Sequence, residues 1–92
     1  MLEPCYAFAN NDPIDQIEKI RNELNEVAKS YDAYTEDESK RVDVLMEIAD
    51  VQVACETLMY LLGANTKERG CIRKLVHMKN DRRGYYDVVK VR

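Results

Sequence analysis

Apolar residues along the first third of the chain recur at helical spacing. Ile14, Ile17, Ile20, Leu24, Val27, Ala28 and Tyr31 follow one another at steps of mostly three and four, the period of one face of an α-helix. Asp12 is placed to cap this helix, Pro13 suits its first position, and Asp15 adds an acid to its first turn. The apolar stripe centres near Leu24, which puts Glu23 about 100° and Glu26 about 160° from its middle. The run YDAYTEDE (31–38) breaks the period. Thr35 reads as the next cap, with Glu38 in capping-box position, so a second helix is expected from about Glu36 to Leu62.

The second helix organises the chain. In Leu45 to Leu62 the only charged residues are Glu47, Asp50 and Glu56, and a helix apolar nearly all round is a buried one. Glu47 and Asp50 lie about 60° apart on the helical wheel, on the stripe of Val51, Ala54 and Leu58. Gln52 and Glu56 fall roughly opposite and are expected to face water. Gly63 supplies the stop, and the short Gly-Ala-Asn link predicts an antiparallel neighbour.

A third helix, capped by Asn65 or Thr66, carries Cys71, Leu75 and Met78 on one side with Ile72 and Val76 beside them, and Gly84 ends it. Residues 1–12 read as an irregular arm that Tyr6 and Phe8 pin to the body. The run YYDVVKVR (85–92) reads as extended, because Val88, Val89 and Val91 favour strand geometry. The expected fold is therefore all-α: one domain over residues 1–92, an antiparallel bundle of three main helices.

Size sharpens this picture. A chain of 92 residues buries only roughly 60–65% of the surface its unfolded form exposes. A helix as apolar as Leu45–Leu62 exceeds what so small a core covers, so homo-oligomerisation to a dimer or tetramer is expected to complete it. The same helix has the length of a membrane span, but its three acids argue against insertion. Cys5, Cys55 and Cys71 make no CxxC pair and leave one thiol over in any disulfide scheme, which fits reduced thiols and a cytoplasmic protein. Cys55 reads as a small buried hydrophobe. The first residues, MLEPCYAFANNDP, lack the basic start and apolar run of a signal peptide.

The net charge of −3 hides a split. Residues 1–66 carry five Lys/Arg against fourteen Asp/Glu, a balance of −9, and residues 67–92 carry nine against three, a balance of +6. An acidic front and a basic tail suit a cation at one end and an anionic ligand at the other; charge complementarity within or between chains accounts for the same split. Nucleic-acid binding is disfavoured by the modest basic excess and the negative total.

Helices one and two are joined by a short link and must run antiparallel, so the pairs Glu23/Glu26 and Glu47/Asp50 can meet at similar depth. Four converging carboxylates need a divalent cation at their centre, and all-oxygen ligation suits Mg²⁺ or Mn²⁺ rather than zinc. On helix position alone, Glu23 and Glu26 read as solvated surface acids at the border of the core face and beyond it. His77, the only histidine, has no Cys or His at ligand spacing and reads as a structural or surface residue.

This pattern resembles the MazG-like all-α nucleoside triphosphate pyrophosphohydrolases, whose signature is EExxE, a spacer, then ExxD. Here it reads Asn22-Glu23-Leu24-Asn25-Glu26, then Glu47-Ile48-Ala49-Asp50, with Asn22 in place of the first glutamate. Lys79-Asn80-Asp81-Arg82-Arg83-Gly84-Tyr85-Tyr86 resembles the KNxxRGYY-type segment of short family members. The likeness spans residues 14–86. It implies a Mg²⁺-dependent hydrolase that cleaves (d)NTP to (d)NMP and pyrophosphate, for nucleotide-pool housekeeping. It further implies Glu23, Glu26, Glu47 and Asp50 as metal ligands and catalytic groups, with Lys79, Asn80 and Arg83 on the substrate phosphates. Arg73, Lys74 and Arg82 read as solvated helix charges. Two alternatives stand beside this: a dUTP- or dCTP-preferring enzyme of the same superfamily, and a non-catalytic helical interaction module.

Overall fold

The computed structural model describes residues 2–88, and over these the chain is all-helical: α1 (Pro13–Glu36), α2 (Arg41–Leu61) and α3 (Thr66–Arg82), with one-turn 3₁₀ segments at Tyr6–Phe8 and Glu38–Lys40. The start of α1 is as its sequence requires. Asp12 accepts a hydrogen bond from the Ile14 N–H at 3.1 Å, and Pro13 occupies the first turn.

The end of α1 departs from expectation. The helix runs on through Thr35 to Glu36, because YDAYTEDE contains neither glycine nor proline to stop it. Thr35 caps nothing; its hydroxyl donates back to the Asp32 carbonyl at 2.6 Å. The turn is built one step later by Asp37, whose carboxylate accepts from the Ser39 N–H and hydroxyl at 3.0 and 2.7 Å. These bonds, the hydroxyl's foremost, hold the Asp37 carboxyl below its ordinary pKa. The second α-helix accordingly begins at Arg41 rather than near Glu36.

Helices α1 and α2 pack antiparallel. Gln16 meets Ala54, and two turns further along α1 Glu23 meets Glu47, two turns back along α2. The seam between them is formed on α1 by Gln16, Ile20, Glu23 and Val27, and on α2 by Val44, Glu47, Val51 and Ala54, all buried or half-buried. The α1 face that packs inward is therefore not centred on Leu24, which is 52% exposed. Among the described residues the strictly buried apolar ones are few: Pro4, Val44, Ala54 and Ala64. Leu45, Met46 and Ile48 of α2 are exposed, and so is Cys55, contrary to its expected burial. The reason is plain: α1 covers one side of α2, the N-terminal arm and α3 reach only its later turns at Glu56, Thr57 and Tyr60, and the outer face of its earlier turns stays exposed.

The link after α2 is a left-handed glycine stop. Gly63 has φ +89°, and the Gly63 and Ala64 N–H groups donate to the Tyr60 and Met59 carbonyls. Asn65 then caps α3 through the Glu68 N–H at 2.9 Å. Instead of lying along α2, α3 makes sparse contact with the α1–α2 pair, and its Ile72, Leu75, Val76 and Met78 are exposed. The radius of gyration is 16.1 Å, against about 12 Å for a compact chain of this length.

At the far end Gly84 (φ +76°) stops α3, with the Tyr85 N–H donating to the Asn80 carbonyl at 2.9 Å. Tyr85 and Tyr86 belong to this turn rather than to an extended strand. Asp87 and Val88 form no strand either, the Asp87 N–H donating to the Gly84 carbonyl at 3.1 Å; the last four residues of the expected extended run, 89–92, lie outside the described residues. The N-terminal arm is pinned as expected: the Cys5 N–H donates to Thr57 Oγ1 at 2.9 Å, and Tyr6 meets Tyr60 edge-on at 5.2 Å. Among the described residues no helix is long and apolar enough to cross a membrane.

Candidate metal and nucleotide site

Two of the expected acids occupy seam positions where a helix pair normally places apolar side chains. Glu23 of α1 faces Glu47 of α2, and Asp50 follows Glu47 by one turn. One carboxylate oxygen from each of the three lies within 4.8 Å of the others. Glu23 and Glu47 are half-buried and Asp50 is exposed. Partial burial pushes the Glu47 carboxyl above its ordinary pKa, helped by the charges of Asp50, Glu23, Glu26 and Asp43 in that order.

Glu26, the fourth expected ligand, stands outside this group. It is exposed and accepts from Lys29 Nζ at 3.5 Å, because it lies about 60° further round α1 than Glu23. It contributes to the negative field on Glu47 but not to the cluster. Asp43 adds to the same field, and sequence reading had given it no role; its signal was a position one turn before Glu47.

The three oxygens fit a hard divalent cation. Oxygens bound in common by Mg²⁺ at about 2.1 Å stand roughly 3–4 Å apart, so small side-chain rotations close the observed span. All-carboxylate ligation favours Mg²⁺ or Mn²⁺.

Glu23 and Asp50 also line a cavity of about 260 Å³ that runs along the α1–α2 seam to Gln16, Thr57 and Phe8, with Lys19 in its wall. Lys19 Nζ lies 4.3 Å from the centre of the Phe8 ring. Gln16 went unnoticed in the sequence, although it precedes Glu23 by two turns on the same line. Its side chain is 2% exposed, and its Nε2 donates to the Ala54 carbonyl at 3.0 Å.

The basic tail is not at this cavity. Lys79, Asn80 and Arg83 sit at the far end of α3, and none of them lines it. Asn80 Nδ2 donates to the Tyr86 hydroxyl at 3.4 Å, the Arg83 guanidinium lies 5.9 Å from the Tyr85 ring, and His77 stacks on Tyr86 at 4.6 Å. His77 is exposed on the surface of α3, within the structural-or-surface reading of its sequence.

A buried ion cluster joins α2 to α3 where the sequence suggested solvated charges. Glu56 is 2% exposed and accepts from Arg69 Nε at 3.1 Å and from the Arg73 guanidinium. Arg69 also donates to the Ala64 carbonyl at 2.7 Å. A helical wheel of α2 alone cannot show that α3 returns onto the Glu56 side, so the assignment of Glu56 to solvent is corrected here; Arg73 is exposed, as expected, while its guanidinium reaches Glu56. Gln52 does face solvent. Compared with protein-family models, with curated proteins and with solved structures, the chain matches none.

Proposed function

We propose that the chain is a divalent-cation-dependent nucleoside triphosphate pyrophosphohydrolase of the kind its sequence resembles, active as a homo-oligomer. The observation that carries this reading is the meeting of Glu23 and Glu47 in the helix seam with Asp50 beside them. Carboxylates at such positions weaken the packing of two helices unless a cation offsets their repulsion.

Glu23, Glu47 and Asp50 would hold Mg²⁺ or Mn²⁺. When bound, the ion supplies charge stabilisation to the triphosphate and Lewis-acid activation. Glu26, exposed one turn from Glu23 and outside the three-acid group, is the carboxylate suited to orient the attacking water and take its proton. Water adds at the α-phosphorus, the bond to the bridging α–β oxygen breaks, and pyrophosphate leaves with the electron pair. The cavity leading from Glu23 and Asp50 towards Gln16 accommodates the nucleoside.

Assembly supplies the rest. Leu24 on α1, Leu45, Met46 and Ile48 on α2, and Ile72 and Leu75 on α3 present an apolar surface that a second copy would cover. In this reading the phosphate contacts of Lys79, Asn80 and Arg83 form on assembly, since their own chain keeps them from the cavity. The same surface favours the second reading, a helical interaction module without catalysis. A panel of nucleoside triphosphates incubated with Mg²⁺ separates the two. Pyrophosphate release that a chelator abolishes supports the enzyme, and no release from any nucleotide leaves the module.

A further inference from the structure

Gln16 holds an acceptor that nothing on the chain uses. Its amide is fixed in orientation, because Nε2 donates to the Ala54 carbonyl at 3.0 Å and a flipped amide would set oxygen against oxygen. Oε1 is buried and has no hydrogen-bond partner among the described residues. A buried acceptor without a donor costs stability, and a native chain keeps one where a ligand or a water completes it. Gln16 lines the same cavity as Glu23 and Asp50.

Position selects the ligand group. Along α1, Gln16 lies two turns, about 10.5 Å, from Glu23. A nucleotide whose phosphates sit at the acids reaches this far with its base, whereas its ribose stops short. Phe8, Val53 and Thr57 give this end of the cavity an apolar lining with one hydroxyl, as a base requires. We infer that Gln16 reads the base of the bound nucleotide, Oε1 accepting from a ring N–H or exocyclic amine on its edge. The inference rests on the nucleotide reading above and adds the chemical class of base: one presenting an N–H donor. The arm closes this end of the cavity in place, tied by the Cys5 N–H to Thr57, with Cys5 and Phe8 in the lining.

Calorimetric titration of the full chain with the four common nucleoside monophosphates, their N-methylated analogues and ribose 5-phosphate tests this. At least one monophosphate is expected to bind more tightly than ribose 5-phosphate. Methylation of its donor nitrogen should weaken it about three- to ten-fold, the share of one neutral hydrogen bond. Gln16→Met should remove the same margin and leave ribose 5-phosphate binding and thermal stability undiminished. Equal affinity for the methylated and parent nucleotides overturns the inference, and implies that a buried water serves Oε1. So does a Gln16→Met loss shared by ribose 5-phosphate. These readouts need no turnover, so absence of pyrophosphate release would refute the enzymatic reading separately.

Discussion

Replacing Arg69 by leucine probes the joint between α2 and α3. In the folded chain the Arg69 and Glu56 side chains are 4% and 2% exposed, and Nε–H donates to Oε2 at 3.1 Å. Breaking a buried pair by removing one partner costs about 3–5 kcal/mol, mostly because the other charge stays buried. Arg73 remains on Glu56, but its side chain is 44% exposed, so it compensates in part and the expected loss is about 3 kcal/mol. For a chain of this size that lowers Tm by about 12–24 °C. Arg73→Ala, by contrast, should cost less than about 1 kcal/mol because of its exposure. The double variant Glu56→Leu/Arg69→Leu leaves no unpaired buried charge, since Arg73, which loses its partner, is exposed, and should recover most of the loss. Urea unfolding at one fixed protein concentration reads all four proteins, with the m-value as a check that the same surface is exposed. An Arg69→Leu cost under about 1 kcal/mol, or a double variant no better than the single one, would refute the reasoning.

Three further outcomes follow from the seam acids and the exposed faces. Glu47→Gln should raise the Tm of the cation-free protein by relieving repulsion from Asp50 and Glu23, and should shrink the Tm rise that Mg²⁺ produces; a differential scan with and without Mg²⁺ reads both. The Glu47 carboxyl lies above its ordinary value of 4.5, so between that value and its folded pKa the native state binds more protons. Cation-free stability should therefore fall as pH rises through this window, while the Mg²⁺-induced Tm rise grows because protons stop competing. Asp37 has the opposite sign: its carboxyl is held below 3.8, so its contribution is present above that pH and lost on further acidification, a change that Asp37→Asn should abolish. The wild-type chain should sediment at micromolar concentration as a dimer or larger, and Ile48→Asp, placed on an exposed apolar position, should shift it towards monomer.

Much of the fold was legible because its signals are local. The three- and four-residue steps from Ile14 to Tyr31, the Asp12-Pro13 start and the stops at Gly63 and Gly84 each act within a turn or two, and the structure carries all of them. The end of α1 was missed for the converse reason: a cluster of polar residues permits a turn without forcing one. Which side of each helix packs inward is a property of its neighbours. Periodicity centred α1 on Leu24, yet α2 lies against Gln16, Ile20, Glu23 and Val27. Glu23 thus proved to be a seam residue rather than a border one, and Glu56 became buried because α3 returns to it. The same dependence on neighbours explains why Gln16 was silent in the sequence and why Lys79, Asn80 and Arg83 stand apart from the acids in one chain.

In the function proposed above, Glu23, Glu47 and Asp50 would hold a cation for attack at the α-phosphorus of a nucleoside triphosphate. The most direct measurement is hydrolysis with Mg²⁺ in heavy-oxygen water, followed by mass analysis of both products. Nucleoside monophosphate and pyrophosphate are expected in equal amounts, with the heavy oxygen in the monophosphate, and turnover should fall by orders of magnitude in Glu47→Gln and Asp50→Asn. Accumulation of nucleoside diphosphate, label in the pyrophosphate, or undiminished turnover in both variants would contradict it.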